Sequence, residues 1–418
     1  MDFSRNNLGE CKFQQMCHLL HSWRETLFTL SPGRVDRYPA RGLGSPPTRA
    51  VAMKRPRSPS LLRPTGPLSA GRRQQPDAPD APDAPVASPP APKRGSTLAD
   101  LWRLSPVRES VAVLPAPRSS SPPPGIPVVD LFCGAGGYSC GAALAGHHVV
   151  LAVDCDTASL KIHAANHPHA THARMTLGPS TEARLIELVR RLVPPRGPWL
   201  LHGSPPCVKF SGMRNATKGK AHEEGMQLVK WYVQLVKKLE PPYWTFEQVV
   251  APSIKDYLAS QRVTYHAFNF ARYGVPQTRT RCLAGTTMLI HTLRDDKALR
   301  VATPVTPAML LTPPAGATRM RASGGKCIEK FYRPLDKPAW CLLTACKPVY
   351  VTEDGRCVRV LTSQELLKLQ TFPSSYRMPP HLCSEGERVK LVGNAVPPLM
   401  SRLLLGPLDS HGLPGDGS

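Results

Sequence analysis

Pro127-Val128-Val129-Asp130-Leu131-Phe132-Cys133-Gly134-Ala135-Gly136-Gly137 joins an apolar run to a glycine-rich turn. Val128, Val129 and Leu131 read as a strand buried on both faces, the pattern of a parallel sheet. Tyr138 to Ala145 then reads as a helix, and His148 to Val153 as a second strand ending in Asp154-Cys155-Asp156, about 20 residues beyond the turn. Strand, glycine turn, helix and strand with a terminal acid make a βαβ unit suited to a nucleoside cofactor. The glycines let a ligand approach the backbone, and the acid accepts hydrogen bonds from ribose hydroxyls. The turn is not the G-x-G-x-x-G of a dinucleotide site. That departure points to a cofactor without a pyrophosphate, S-adenosylmethionine rather than NAD.

Outward from this unit, strands are predicted at Trp199 to Leu201, Tyr243 to Phe246, Thr264 to Phe270 and Arg281 to Ala284, with a helix from Glu223 to Leu239 among the segments between them. The alternation predicts an α/β fold, a doubly wound, mostly parallel sheet covered on both faces. Trp199-Leu200-Leu201 runs into Ser204-Pro205-Pro206-Cys207. Two prolines fix φ and remove two amide donors, so the strand must stop and deliver a thiol at its carboxyl end. Ligands of open α/β sheets bind at that end, which makes Cys207 a candidate nucleophile. For any single one of the 12 cysteines, inert burial is the competing reading.

Of the 47 prolines, 21 fall in residues 1–125, which also hold Pro76-Asp77-Ala78-Pro79-Asp80-Ala81-Pro82-Asp83-Ala84-Pro85, so a disordered, Pro-rich basic arm is expected there. The formal net charge of +23 is spread over arm and folded part alike, and a polyanion, nucleic acid, is the expected partner. Met16, Leu19, Leu20, Trp23, Leu27 and Phe28 recur at helical spacing, so the arm is a candidate for docking a protein partner, and Lys54-Arg55-Pro56-Arg57 resembles a nuclear-import signal. Met53 just before it is a candidate alternative start. No C-x-x-C pair or finger-like spacing supports structural zinc, and the alternating His163, His167, His169 and His172 read as solvated rather than metal-ligating. No metal and no membrane partner are expected, and the chain reads as intracellular, nuclear, with reduced thiols.

The motifs and their order resemble the cytosine-C5 DNA methyltransferases over roughly residues 126–408. Asp130-Leu131-Phe132-Cys133-Gly134-Ala135-Gly136-Gly137 is similar to the family's first cofactor motif, and Pro205-Pro206-Cys207 with Phe210-Ser211 to its nucleophile motif. Phe246-Glu247-Gln248-Val249 is similar to its Glu-Asn-Val motif, and Gln277-Thr278-Arg279-Thr280-Arg281 to its Gln-x-Arg-x-Arg motif. Leu369-Gln370-Thr371-Phe372-Pro373 and Gly393-Asn394-Ala395-Val396-Pro397-Pro398 are similar to the last two.

The resemblance implies a Rossmann-like S-adenosylmethionine-dependent methyltransferase fold with a small target-recognition lobe. The implied division is 1–125 arm, 126–285 catalytic and cofactor-binding domain, 286–356 target-recognition region, 357–408 return to the catalytic domain and 409–418 tail, monomeric on the catalytic domain. It implies that Cys207 adds to carbon 6 of a flipped-out cytosine, since carbon 5 alone is too weak a nucleophile for a methyl sulfonium. Glu247 suits the acid that offsets charge at N3 and the exocyclic amine. Arg279 and Arg281, two apart on one strand, are expected to share a face towards base and carboxylate. Phe132 would stack on the adenine, Gly134, Ala135, Gly136 and Gly137 would hold the methionine moiety, and Asp154 with Cys155 would lie at the ribose. Asn394 and Val396 would close the cofactor pocket.

Three departures stand out: Arg174 where an acid near the adenine is expected, Gln248 for Asn, and Val208-Lys209 for Gln-Gly. An RNA (tRNA) cytosine-5 methyltransferase and an inactive DNA-binding relative are the alternatives. Phe210-Ser211 rather than Phe-Thr favours DNA over RNA, and the intact reacting groups favour activity.

Overall fold

A computed structural model describes residues 125–206, 220–321, 332–342 and 348–410. The arm with its amphipathic and basic segments, Cys207, Val208-Lys209 and Phe210-Ser211 lie outside the described residues. The expected βαβ unit is present as β1 (Pro127–Leu131), α1 (Gly137–Leu144) and β2 (His148–Asp154). After it come α2 (Thr157–Asn166), β3 (Thr171–Arg174), α3 (Glu182–Leu192), β4 (Leu200–Gly203), α4 (Lys220–Leu239), β5 (Tyr243–Gln248), α5 (Pro252–Ser260), β6 (Thr264–Asn269), β7 (Gln277–Thr278), β8 (Thr280–Gly285) and α6 (Thr287–Asp295).

The strands form a seven-stranded sheet of order β3-β2-β1-β4-β5-β8-β6. Strand order reverses between β1 and β4, the switch point where an open α/β sheet leaves a crevice at its carboxyl edge. The sheet is α/β, doubly wound and mostly parallel, as expected, and β8 alone of its seven strands runs antiparallel, between β5 and β6. The short return from β6 allows this, because antiparallel neighbours need no helical crossover. The β3 and α3 elements were not expected. The four residues Thr-His-Ala-Arg of β3 are too few and too polar to show a period.

Alternation along each strand sends side chains to opposite faces. Val129, Leu131, Leu151, Val153, Leu201 and Phe246 face α3, α4 and α5. Val128, Ala152, Leu200 and Leu283 face α1, α6 and a C-terminal helix, α7 (Pro398–Leu405). Each fully buried Val, Leu or Phe contributes at most roughly 1.5–3 kcal/mol. On the second face, polar side chains replace apolar ones towards the carboxyl edge, where Asp130, His202, Thr245 and Glu247 follow the apolar positions.

Close approaches fix these layers. A Cβ at Gly203 would lie 2.2 Å from the Tyr232 ring, whose hydroxyl donates to the Thr245 carbonyl at 2.8 Å. The ring is tethered and cannot retreat. We therefore expect Gly203→Ala to lower stability by about 2–3 kcal/mol, read as a fall in thermal midpoint. An unchanged midpoint would show that α4 moves freely on β4.

The region 286–356 divides differently from expectation. Leu289, Ile290 and Leu293 of α6 join the main core. Beyond it, β9 (Arg319–Arg321), β10 (Tyr332–Pro334), β12 (Val349–Val351) and β13 (Cys357–Val360) form an antiparallel sheet of order β10-β9-β12-β13. A two-residue strand, β11 (Ala339–Trp340), pairs with β7. Strands this short carry no readable period, so the sequence shows only Pro- and Thr-rich pieces. Before α7 the chain forms a Ser363–Leu369 helix and a Glu385–Asn394 helix, each opened by a capping box. No helix among the described residues is long and apolar enough to cross a membrane.

Candidate active site

A cavity of about 370 Å³ opens at the carboxyl ends of β1, β2, β4 and β5, at the switch point. Its wall begins with the turn after β1. Phe132 takes a left-handed φ of 59°, unusual for a non-glycine residue, and its ring meets the edge of Trp231 with centroids 6.2 Å apart. Gly134, at φ 51°, has nothing within 4 Å of where a Cβ would stand, and its N–H donates to Asp154 Oδ2 at 2.9 Å. Asp154 Oδ1 accepts from the Asp156 N–H at 2.9 Å. Burial pushes the Asp154 carboxyl up against these bonds, which hold it down. Asp154 thus braces the glycine turn while lining the cavity.

Phe132, Gly134, Ala135, Gly137, Asp154, Cys155, Asn394 and Val396 all line this cavity. Gly136 does not. At φ 84° it faces inward, where a Cβ would come within 2.7 Å of the Tyr376 hydroxyl and 3.0 Å of the His163 ring. Gly137 is pressed against the C-terminal segment, since a Cβ there would sit 2.3 Å from the Val396 carbonyl oxygen. Arg174 is exposed at the end of β3 and donates through Nε to the Cys155 carbonyl, outside the wall.

The opposite wall carries Ser204, Pro205, Pro206, Glu247 and Arg279. The Ser204 N–H donates to the Leu131 carbonyl and its hydroxyl to the Phe132 carbonyl, tying the proline segment to the cofactor turn. Gln248 Nε2 donates to the Pro205 carbonyl at 2.9 Å, and its Oε1 accepts from the Val249 N–H. The longer amide therefore holds the segment that leads to Cys207.

Glu247 and Arg281 form an ion pair, Nε to Oε1 at 3.1 Å, with both side chains about nine-tenths buried. Oε1 has no aligned hydrogen-bond donor among the described residues. Arg279 and Arg281 are both buried, with exposed Thr280 between them, and both reach the Cys341 sulfur, Arg279 Nη1 at 3.8 Å and Arg281 Nη2 at 3.9 Å. Arg279 falls at the break between β7 and β8. Its Nη1 donates to the Gly393 carbonyl at 3.2 Å and the Leu342 carbonyl at 3.4 Å, holding the C-terminal segment against the cavity. Arg281 stands behind Glu247 and is not in the wall.

Several wall residues escaped the sequence reading: Asp130, Tyr138, Asp156, Ser159, Glu387, Lys390 and Leu391. A signal existed for some of them. Asp130 is a carboxylate inside an apolar strand run, and Glu387, Lys390, Leu391 and Asn394 recur at helical spacing, so one helix face delivers all four.

Of the four histidines expected to be solvated, His169 is exposed and His167 half-buried, whereas the other two are enclosed. His163, His172 and His202 are buried, and no group of three or more ligating side chains among the described residues is placed to hold a metal. Burial pushes His163 and His202 well below the ordinary imidazole value, His167 down to about 4, and His172 down as well. Each binds a proton less readily folded than unfolded, where imidazole titrates near 6.5. Their contribution is therefore full above about pH 6.5 and lost as the pH falls through that value. Asp130, pushed up to about 7, and Asp154, also pushed up by burial, act in the opposite sense, but they are two groups against four. We expect the thermal midpoint to fall steadily between pH 7 and pH 5, and a flat profile by circular dichroism would contradict neutral burial of these rings.

The sequence profile of the C-5 cytosine-specific DNA methylases matches residues 126–287 and 320–408. The chain is 25% identical over 328 residues to the type II methyltransferase M1.HphI of Haemophilus parahaemolyticus, covering 66% of this chain and 84% of the relative. It is 26% identical over 313 residues to M.AplI of Arthrospira platensis, with the same coverage. A solved Spodoptera frugiperda DNMT2 variant shares the fold at a TM-score of 0.50 and 17% identity, over 68% of this chain and 99% of that one. With the profile spanning both the cofactor turn and the C-terminal return, the chain belongs to the C-5 cytosine-specific DNA methylases.

Proposed function

We propose that the protein transfers a methyl group from S-adenosylmethionine to carbon 5 of a flipped-out cytosine in double-stranded DNA, through a covalent bond from Cys207 to carbon 6. The observation that carries this reading is one cavity shared by the glycine turn, the Pro205-Pro206 segment and Glu247. A cofactor wall and a base-reacting wall face each other across it.

The wall fits the cofactor on its own terms. Phe132 offers an aromatic ring steadied by Trp231, Gly134 leaves open space, Asp154 and Asp156 offer carboxylates at the second strand end, and Asp130 Oδ1 is buried without a hydrogen-bond partner. Phe132 would hold the adenine, the 134–137 turn with Val396 and Asn394 the methionine part, and Asp154 the ribose. The cofactor, when bound, supplies an electrophilic methyl group.

The chain's own residues do the rest. Cys207, directly after Pro206, adds as thiolate to carbon 6, opening the double bond between carbons 5 and 6 and moving the electron pair to carbon 5 and the N3 side of the ring. Once carbon 5 is methylated, loss of its proton to water restores the double bond and expels the Cys207 thiolate. Glu247, lining the cavity with its Oε1 paired to Arg281, receives N3 and the amine. Arg279 keeps the Gly393 to Val396 segment closed over the site. The antiparallel sheet of β9, β10, β12 and β13 carries Arg319, Arg321, Arg333 and Arg359, and is the part we assign to reading DNA.

Transfer of labelled methyl groups to duplex DNA, with tRNA and a no-substrate control alongside, tests the assignment. Labelling of DNA is expected, whereas labelling of tRNA alone would move the substrate to RNA, and labelling of neither despite cofactor binding would overturn catalysis. Phe132→Ala is expected to weaken S-adenosylmethionine binding about tenfold, the loss of one aromatic contact of roughly 1.4 kcal/mol, read by calorimetry. Unchanged affinity would remove Phe132 from the cofactor wall.

A further inference from the structure

Beneath the glycine turn, a single file of polar groups runs from the cavity wall to the edge strand of the sheet. Asp130 on β1 lines the cavity. Ser139 Oγ on α1 lies 2.6 Å from Asp130 Oδ2, His163 Nε2 on α2 lies 3.0 Å from Ser139 Oγ, and His172 Nε2 on β3 lies 2.8 Å from His163 Nδ1. All four side chains are buried.

Each gap in this file holds one proton, and the directions are locked together. Ser139 has one hydroxyl proton, and a neutral imidazole has one N–H. If Ser139 donates to Asp130, its oxygen must accept from His163 Nε2–H, which leaves His163 Nδ1 to accept from His172 Nε2–H. If instead Asp130 carries the proton and donates to Ser139, every bond reverses. Ser139 then donates to His163 Nε2, and His163 Nδ1–H donates to His172 Nε2. His172 carries its own proton on Nδ1 in that state, and a hydrogen bond to the Ala170 backbone favours one there. The file has two states of opposite polarity, because a mixed arrangement would leave a buried gap without a proton or with two.

We propose that Asp130, Ser139, His163 and His172 form a proton relay coupled to the cavity: a cationic ligand beside Asp130 draws it into the carboxylate state and turns His163 from its Nδ1–H to its Nε2–H tautomer. The coupling rests on the S-adenosylmethionine reading, since the sulfonium and ammonium of that cofactor supply the cation. The protons balance. Asp130 passes its proton to Ser139 Oγ, Ser139 passes its own to His163 Nε2, and His163 passes its Nδ1 proton to His172 Nε2. His172, held below the ordinary imidazole value by burial, gives its Nδ1 proton to water. The net change is one proton moved from Asp130 to solvent.

Burial sets Asp130 at about 7, with the Ser139 bond holding it down and the Asp154 charge pushing it up, so both states are populated near neutral pH. The groups facing it are Asp154 on β2, His202 in register on β4, the Cys133 thiol in the turn, and the hydroxyls of Tyr138, Tyr232 and Tyr376. Around His163 stand His167 and His172. Burial keeps these imidazoles neutral, and none of the facing groups is a cation at neutral pH.

Nitrogen-15 spectra of histidine-labelled protein test the relay. In the free protein, the two ring nitrogens of His163 are expected to exchange roles as the pH rises through about 7. At pH 6.5, S-adenosylmethionine is expected to drive the same exchange, and S-adenosylhomocysteine, which lacks the sulfonium, to drive less of it. Calorimetry in two buffers of different ionisation enthalpy should then register on the order of half a proton released per cofactor at pH 7. Ser139→Ala should bind the cofactor while His163 no longer responds. A wild-type His163 that keeps one tautomer throughout overturns the relay. Cofactor binding without a His163 response overturns the coupling alone, whereas pH-driven reversal with no binding heat overturns the cofactor reading and the coupling together.

Discussion

Cys207→Ser is expected to lower methyl transfer to duplex DNA by on the order of 10⁴- to 10⁶-fold, the scale seen when a covalent nucleophile is removed. Serine keeps the size of the side chain but not the thiolate: a hydroxyl has no neighbouring base among the described wall residues strong enough to make it a comparable nucleophile at neutral pH. The Ser204 and Gln248 hydrogen bonds that anchor the preceding segment do not involve the thiol. Cofactor affinity and thermal midpoint should therefore stay near wild type. DNA containing 5-fluorocytosine should form a stable adduct with the wild-type protein and none with the variant. An adduct with Cys207→Ser would place the covalent bond on another residue.

Glu247→Gln comes second in size, with an expected loss of about 10²- to 10⁴-fold in turnover. Glutamine preserves shape but has no carboxyl proton to give N3 as negative charge builds there. Glu247→Ala adds a folding defect, because it leaves the Arg281 guanidinium buried without its carboxylate at a cost of about 3–5 kcal/mol. Both should lose turnover, and the alanine variant should melt earlier than the glutamine variant, which keeps an amide oxygen for Arg281 Nε. If Glu247→Gln retained wild-type turnover, the acid would have to be sought elsewhere on the wall.

Much of the site was legible because its motifs are local. The glycine turn, the Pro-Pro-Cys segment and the Glu247 strand each have short-range physical reasons to be where they are: a left-handed turn, a strand stop, a carboxylate at a strand end. The partners of the arginine pair were not legible, because they lie far along the chain: both side chains reach Cys341, Arg279 also donates to the Gly393 and Leu342 carbonyls, and Arg281 pairs with Glu247. Gly136 was placed on the ligand side of its turn, whereas its inward face packs on Tyr376 and His163. The histidines were read as solvated because the sequence cannot show that Ser139 and Asp130, many residues upstream, complete their hydrogen bonds.

By itself the sequence determined the βαβ start, the doubly wound α/β class and the order of the motifs, since these follow from periodicity, glycine and proline, which act over a few residues. Only the tertiary structure decided which motifs share a cavity, the antiparallel insertion of β8, the small arginine-bearing sheet and the polar file from Asp130 to His172. Those depend on contacts between residues far apart in the chain, where burial and hydrogen-bond satisfaction set both geometry and charge.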